Sequence, residues 1–160
     1  MPRLLFEKTG NAVWVSHLDL MRLFQRAFKR AGLPLTHTRG FNPRPSVSIA
    51  LPLSVGIASC CELLDFDLEG EKVPVSEIKA KLNNALVPGI RVVDVYDDGR
   101  KIKHLAYLRC QVDFEYDKGV PEKAAEAMKS FFANDSIIVE KHSKNGIVQQ
   151  DIAPMIRRLD

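Results

Sequence analysis

Two arginines, an aromatic ring and a side-chain amide lie within six residues of one another, in the segment RGFNPRP at positions 39–45. The guanidinium groups of Arg39 and Arg44 suit phosphate oxygens, because each presents several N–H donors in one plane. Phe41 can stack on an unpaired nucleobase, and Asn42 can hydrogen-bond the edge of a base. The segment therefore predicts a nucleic-acid-binding loop. An alternative stays open, in which Phe41 anchors the loop in the core and Asn42 caps a turn.

Two prolines make this loop stiff. Pro43 and Pro45 fix their own φ angles and favour extended geometry at the residues before them, Asn42 and Arg44. Gly40 suits a positive φ or a close backbone approach. Donors that are held in place before a ligand arrives lose less entropy on binding. The stiffness of the loop therefore favours a role in binding.

Four basic residues precede the loop at the helical spacing i, i+4, i+7 and i+8. This spacing places them on one face of a helix, where they can follow a phosphate backbone. The full set predicted to bind nucleic acid is Arg22, Arg26, Lys29, Arg30, Arg39, Phe41, Asn42 and Arg44. The alternative is an ordinary solvated helix face, with Arg30 and Arg39 paired internally to Glu62 or Asp65.

Two histidines flank the basic helix. A histidine can act as general acid or base in metal-free RNA cleavage, because its pKa lies near neutrality. Asp19 could orient His17, but neither His17 nor His37 has a further partner in the sequence pattern. We interpret both as ordinary polar residues and predict no catalytic residue; they remain the candidates for an alternative function as a metal-independent endoribonuclease.

The three cysteines, Cys60, Cys61 and Cys110, do not have the close spacing that holds an iron–sulfur cluster or a structural zinc ion. Adjacent cysteines rarely bridge each other, and an odd number cannot all pair. This usage is typical of a reducing compartment. No Gly-rich phosphate loop or serine-nucleophile motif is present either. We therefore predict a cytoplasmic protein without a metal or cofactor.

The charge is unevenly distributed along the chain. Residues 1–60 contain eight Lys and Arg against two acidic residues, a net charge of +6, whereas the remaining residues contain 15 basic and 18 acidic residues, a net charge of −3. A concentrated positive field favours a polyanionic partner, and nucleic acid is the commonest. The longest uncharged run, 46–61, is interrupted by Pro52 and Gly56 and is too short for a membrane helix.

One helix carries Arg22, Arg26, Lys29 and Arg30, which we call the basic stripe, and leads into the loop. Ser16 is a predicted N-cap, with Asp19 completing a capping-box pattern. Gly32 is the expected left-handed terminator, and Pro34 prevents continuation. The residues that recur at helical spacing and form the core-facing side are Leu20, Leu23, Phe24, Ala27, Phe28 and Ala31.

The remaining elements follow from alternation and turn residues. Strands are predicted at 3–8, 46–51, 59–68 and 90–96, a second helix at 76–86, and extended chain at 12–15 leading into the first helix. The order βαββαβ predicts a ferredoxin-like domain at 1–97, an antiparallel sheet with two helices on one face. In the alternation of the strand at 59–68, Glu62 falls on the same side as the core residues. A carboxylate there would need a cationic partner, for which Arg39 or Arg44 is the candidate.

A polar linker at 97–103 precedes a second, smaller set of elements. We predict a strand at 104–116, a helix at 121–133, a strand at 136–141, a turn at 143–146 and a strand at 147–151. This pattern predicts a second, incomplete ferredoxin-like or smaller α+β unit at 104–160, truncated before its last helix and strand.

The segments SHLDLMRLFQRAFKRAGLP (16–34) and GFNPRPSVSIALPLSVGIASCCE (40–62) resemble a bacterial family of radical-SAM-linked proteins. This domain of unknown function occurs beside, or fused to, a B12-binding-type radical SAM protein. The resemblance is close over about the first 70 residues. It implies a radical SAM partner from the same operon or fusion and a role in RNA maturation or modification. The tandem layout also resembles the CRISPR repeat-RNA-processing proteins at the level of architecture.

Three functions are compatible with these observations. The first is a non-catalytic accessory module that binds RNA, of the tRNA or rRNA class, and presents it to a partner radical SAM enzyme. The second is the metal-independent endoribonuclease. The third is a protein-interaction module that docks on the radical SAM partner. The basic first half and the stiff loop favour the first.

Overall fold

The computed structural model describes residues 2–97, 99–100, 102–109, 111–143 and 146–159. Three predictions fall partly outside them, because Asp98 and Lys101 of the linker, Cys110, and Lys144 and Asn145 of the turn at 143–146 lie beyond the described residues. The chain divides into two compact units, residues 1–108 and 109–160. The first contains β1 (Arg3–Lys8), α1 (His17–Arg30), β2 (Val47–Ile49), β3 (Ser59–Phe66), α2 (Val75–Ala85) and β4 (Ile90–Tyr96).

The four strands form one antiparallel sheet in the order β2-β3-β1-β4. The first strand along the chain is therefore central, with Leu4 opposite Leu64 of β3 and Val95 of β4. The α+β class is confirmed, and both the element order and the strand order are compatible with the ferredoxin-like arrangement. In β3 the register shifts by one residue, so that Cys60 and Cys61 together lie opposite Glu7 in a β-bulge.

The helices pack on one face of this sheet. Alternate residues of β1 point into that layer, and Leu4 and Phe6 are fully buried. The ring of Phe24 lies edge-on to Phe6 at 4.8 Å between centroids, and Phe28 lies on Phe66 of β3 at 5.0 Å. These two contacts fix α1 across β1 and β3, with its N-terminal end over the C-terminal end of β1.

The ends of α1 follow their sequence signals. The Ser16 hydroxyl oxygen accepts a hydrogen bond from the Asp19 amide at 3.2 Å, which confirms the N-cap. The same hydroxyl donates to the Asp19 carboxylate at 2.7 Å. Gly32 has φ +67°, which confirms the left-handed terminator. The stretch before α1 differs from expectation: residues 10–14 form a turn of 3₁₀ helix, so the extended backbone predicted at 12–15 is wrong for 12–14 and is found at Val15 alone.

The second unit contains α3 (Ala124–Phe132) and a two-stranded antiparallel sheet of β5 (Ile138–Ser143) and β6 (Gly146–Asp151). The strand predicted at 104–116 is wrong over the described residues, where 102–104 form a 3₁₀ turn and 105–109 and 111–116 have no regular structure. The unit is thus a small α+β unit built around one helix and one hairpin. Across both units, the described helices are too short or too polar to traverse a bilayer.

Candidate nucleic-acid interface

The RGFNPRP segment forms the tip of a hairpin. The Thr38 amide donates to the Arg44 carbonyl at 2.8 Å, and the Arg44 amide donates to the Thr38 hydroxyl at 2.9 Å. Farther down, the Ser46 amide donates to the Thr36 carbonyl at 2.8 Å. Residues 36–38 and 44–46 therefore form a hydrogen-bonded base, and residues 39–43 close it. We call residues 36–46 the basic hairpin.

The side chains at the tip of the basic hairpin all face solvent. Phe41 is fully exposed, so the alternative in which it anchors the loop in the core is wrong. Arg39, Asn42 and Arg44 are also exposed. Within the part of the chain that the structure describes, neither arginine lies within ion-pair distance of a carboxylate. The predicted internal pairing of Arg39 is therefore not made, and the tip presents one ring and two free cations.

The basic stripe lies on the solvent side of α1. Arg22, Arg26, Lys29 and Arg30 are all exposed, and at about 100° per residue they fall within about 100° of arc, opposite the buried side of the helix. Two of them have partners: Arg22 donates to the Asp19 carboxylate at 3.0 Å, and Arg30 donates to the Ala85 carbonyl at 2.6 Å.

Asp19 carries the negative charge closest to the stripe. Its pKa is lowered, first because the Ser16 hydroxyl donates to the carboxylate, then because Arg22 does, with a smaller contribution from the charge of Arg26. Asp19 therefore offsets part of the positive field near the first half of α1. Arg26 and Lys29 have no ion pair in the described chain, so the unopposed charge of the stripe is centred nearer its C-terminal end.

The topology places that end of the stripe and the basic hairpin at the same end of the first unit. After α1 the chain turns back, with the Leu33 amide donating to the Phe28 carbonyl at 3.0 Å, and Leu35 then bridges to Leu68 just beyond β3. The hairpin follows directly and leads into β2. Lys29 and Arg30 thus lie in the turn of α1 beside which the hairpin starts, and Arg22 lies about 12 Å back along the helix axis.

The base of the basic hairpin lies beside acidic residues, whereas its tip carries basic ones. The Thr36 hydroxyl donates to the Asp67 carboxylate at 3.1 Å, and His37 Nδ1 lies 3.6 Å from Glu69. These contacts hold the first side of the base, residues 36–38, to the chain that follows β3. Because like charges would repel a phosphate, a nucleic-acid backbone is favoured at the tip rather than at the base.

The two candidate catalytic histidines are not brought together. His17 is the first residue of α1, whereas His37 lies in the basic hairpin, which follows the last residue of α1. The two histidines are therefore separated by the length of this 14-residue helix, about 20 Å. His17 is half-buried, and its Nδ1 atom is buried without a hydrogen-bond partner. A general acid and a general base acting on one bond must lie on either side of it, which this spacing does not allow for the pair.

The predicted carboxylate pairings are corrected by the structure. Asp65 pairs with Arg3, whose Nε donates to the carboxylate at 2.6 Å, and not with Arg30 or Arg39. This hydrogen bond raises the pKa of Arg3. Glu62, whose core-side parity is consistent with its half-buried position, has no ion pair with Arg39 or Arg44 among the described residues.

The sequence reasoning missed one residue on the core side of β1. Lys8 shares the parity of Leu4 and Phe6 and is 1% exposed. The alternation of the strand contained that signal, because a lysine two residues beyond a core phenylalanine must point into the same layer. Elsewhere, within the described residues, no group of three or more His, Cys, Asp or Glu side chains could hold a metal ion.

The model of a family described as "Uncharacterized protein conserved in bacteria (DUF2344)" matches residues 2–160, which is nearly the whole chain. No curated protein and no solved structure matches the chain.

Proposed function

We propose a function for this chain, which belongs to the DUF2344 family of uncharacterized bacterial proteins. From the residues on its surface, we infer that it is a non-catalytic module that binds RNA of the tRNA or rRNA class and presents it to a partner radical SAM enzyme. The RNA-binding part rests on the basic hairpin and the stripe on α1. The partner rests on the resemblance of the SHLDL and GFNPRP segments to radical-SAM-linked proteins.

One observation carries the proposal. Phe41 is a fully exposed aromatic side chain at the tip of a hairpin, between two arginines that have no ion pair in the described chain. An exposed phenylalanine contributes nothing to the core, and its ring offers a stacking platform for an unpaired base. Stacking with adjacent phosphate contacts is how proteins recognise single-stranded loops in RNA. Asn42 adds one amide that can bond a base edge.

The charges support contact with several phosphates. Arg26, Lys29, Arg39 and Arg44 are exposed and free of ion pairs in the described residues. If each neutralises one phosphate of a single strand, the logarithm of the binding constant falls against the logarithm of the salt concentration with a slope of about −3. Removing one of the four cations should change that slope by about 0.7.

The test uses the full chain and a structured RNA with single-stranded loops, with binding followed by fluorescence anisotropy between 50 and 200 mM salt. Arg26→Gln, Arg39→Gln and Arg44→Gln should each weaken binding and flatten the salt slope. Lys72→Gln is the matched control, because it removes one exposed cation that already pairs with Asp97. It should leave the slope unchanged. Binding that is independent of salt, or equal losses in the control, would contradict the proposal.

A second candidate, a docking module for the radical SAM partner, is favoured by a separate surface. The Gly56 amide donates to the Val13 carbonyl at 2.9 Å, which joins the 3₁₀ helix before α1 to the loop before β3. The large apolar side chains exposed around this junction are Trp14, Leu18, Val55 and Ile57. Exposed apolar patches of this kind mark protein interfaces.

The test of docking is co-purification of the neighbouring radical SAM protein with the full chain. Co-purification that survives nuclease and high salt, and is lost in Trp14→Ser, would support docking. Co-purification that nuclease abolishes would favour RNA binding alone.

A further inference from the structure

Beyond its first turn, the exposed face of α1 is made of cations. The structure describes every residue of this helix, and from residue 20 onward the exposed ones are Arg22, Arg26, Lys29 and Arg30. Gln25, which carries the side-chain amide of the helix, is half-buried. Contacts from guanidinium and ammonium groups to phosphate oxygens position a nucleic acid without reading its bases. The basic stripe is therefore a surface for a nucleic-acid backbone.

Two cations of the basic stripe are available to that backbone. Arg22 and Arg30 already donate hydrogen bonds to acceptors within the first unit. Arg26 and Lys29 make no ion pair in the described chain. They are three residues apart, about 4.5 Å along the helix axis. A backbone on this face is therefore centred on Arg26 and Lys29.

The tip of the basic hairpin offers the groups that the basic stripe lacks. Phe41 is fully exposed, and Asn42 presents an exposed amide beside it, with Arg39 and Arg44 on either side. Aromatic rings and amides recognise bases that are splayed out of a helix, by stacking and by hydrogen bonds to their edges. The tip therefore suits a base without a pairing partner.

α1 runs in the same direction as β3. Phe24 contacts Phe6 of β1, and Phe6 lies opposite Glu62 of β3. Phe28, one turn later in α1, contacts Phe66, which is four residues farther along β3. The C-terminal turn of α1 and the C-terminal end of β3 therefore lie at the same end of the first unit.

The basic hairpin extends from this end. β2 is antiparallel to β3, with Val47 opposite Phe66, the last residue of β3. The residues before Val47 therefore lie beyond the end of β3, and the Asp67 amide there donates to the Ser46 carbonyl at 3.1 Å. The tip at 39–43 lies farther out. Along this direction the stripe comes first and the tip second.

We propose that the RNA bound by this chain is a stem-loop, with an unpaired base of the loop on Phe41 and one strand of the stem on Arg26 and Lys29. This inference rests on the proposed function and names its class of RNA. In a stem the bases pair with each other and the backbone faces outward, which suits a surface of cations alone. A single strand along both surfaces would bring its phosphates near Asp67 and Glu69 at the base of the hairpin.

The first experiment measures binding of the full chain to three RNAs by fluorescence anisotropy. They are a stem-loop, the same loop sequence as a linear strand, and the same stem as a blunt duplex. The stem-loop should bind at least about tenfold more tightly than either of the others, because it alone engages both surfaces. Its salt slope should be steeper than that of the linear strand by about 1.8, which is two more phosphate contacts at about 0.9 each.

Substitutions then separate the two surfaces. Arg26→Gln and Lys29→Gln should each weaken binding of the stem-loop and reduce its salt slope by about 0.9, and each should change binding of the linear strand by less than about twofold. Phe41→Ala should weaken the stem-loop and the linear strand by the same factor and leave the duplex unchanged. Lys81→Gln is the matched control, because it removes a helix cation that already pairs with Glu77; it should change none of the three.

The outcomes distinguish this inference from the proposed function. Equal affinity for the linear strand and the stem-loop, with equal losses in both for Arg26→Gln, would mean that a single strand occupies both surfaces. RNA binding would then stand and the stem-loop would be wrong. Equal affinity for the duplex and the stem-loop would also overturn it, since the tip would contribute nothing. If none of the three RNAs binds, the proposed function is wrong and this inference fails with it.

Discussion

At the scale of single residues, exposure separates the side chains that build the fold from those available to a ligand. Phe6, Phe24, Phe28 and Phe66 are fully buried in the first unit, whereas Phe41 is fully exposed. The eight residues predicted to bind nucleic acid are all exposed. Only Arg22 and Arg30 among the cations of that set make side-chain hydrogen bonds within the described chain.

Phe41→Ala tests this separation directly. Because the ring is fully exposed, the free energy of unfolding should change by less than about 0.5 kcal/mol. The affinity for RNA with a single-stranded loop should fall by about 1–3 kcal/mol, the range for loss of one stacked base. Denaturant unfolding and anisotropy on the same samples measure both. Val55→Ala, at another exposed apolar side chain, is the control; an equal loss of affinity there would rule out stacking at Phe41.

Asp151 gives a prediction for acid. Its pKa is lowered, first because the Ile137 amide donates to the carboxylate, at 2.9 Å, and then through Ser136 and the Ala153 amide. A carboxyl group whose folded pKa is below its unfolded value stabilises the fold above the unfolded pKa and loses that contribution as the pH falls through the folded one. The stability lost in Asp151→Asn should therefore be constant above about pH 5, shrink as the pH falls below the unfolded pKa of about 3.9, and vanish only below the lowered folded pKa.

The measurement is amide exchange or chemical unfolding of the second unit in wild type and Asp151→Asn across that range. Asp117→Asn, at an exposed carboxylate in the same unit, is the control and should show no pH-dependent difference. A stability difference for Asp151→Asn that persists at low pH would mean that the amide hydrogen bonds do not depend on ionisation.

At the scale of elements, the sequence predicts best where the signal is local. The start and end of α1 follow from Ser16 and Gly32, because capping and left-handed termination involve only neighbouring residues. The segment 104–116 also carries a local signal, an alternation of apolar and polar residues, which predicts a strand. Its Tyr107, Val112 and Phe114 are nevertheless exposed and form no strand. A strand needs a neighbour to bond its backbone, and a pattern within one segment cannot supply it.

The candidate site shows the same division. The residue types and the prolines of the basic hairpin predict a stiff binding loop from sequence. Whether Phe41 faces solvent or the core depends on the elements around it, and the sequence left that open. The partner of Asp65 was missed for the same reason, since Arg3 lies 62 residues away in the chain and meets it only through the register of β1 with β3.

Two glycines test how elements are joined. Gly32 ends α1 at φ +67° and has open space around it, so Gly32→Ala should cost about 1–2 kcal/mol for the left-handed backbone alone. Gly89, before β4, has φ +86°, and a Cβ there would overlap the Thr9 carbonyl oxygen and lie 2.9 Å from the Ala12 Cβ. Gly89→Ala should therefore cost more than about 4 kcal/mol. Urea unfolding measures the free energy of unfolding of both variants. Equal costs would show that the backbone around Gly89 and Thr9 shifts to make room for the added Cβ.

At the scale of the whole molecule, burial is concentrated in the first unit. Its sheet and two helices share one cluster of buried apolar side chains, whereas in the described part of the second unit Ile137 is the buried apolar residue. Since apolar burial is the main favourable term in folding, the two units should differ in stability. The sheet of the first unit is the expected centre of the fold.

Hydrogen exchange should show this difference. Amides in β1, β3 and β4 should exchange only on global unfolding, and those in β5 and β6 should exchange faster by at least about 100-fold, because local opening follows the density of buried contacts. Phe24→Ala should accelerate exchange across the first sheet and leave the hairpin of β5 and β6 unchanged. Equal protection in both sheets would indicate that the units unfold together.

The central position of β1 sets the order in which the chain can mature on the ribosome. Leu4 pairs with Leu64 and with Val95, so β1, one of the two inner strands, is translated 60 and 91 residues before its two neighbours. At about 5–20 residues per second, β3 follows after roughly 3 to 12 s and β4 after roughly 5 to 18 s. Until β3 has been made, the leucine and phenylalanine side chains of β1 have no sheet to join, so the core of the first unit forms only after about 66 residues have been translated.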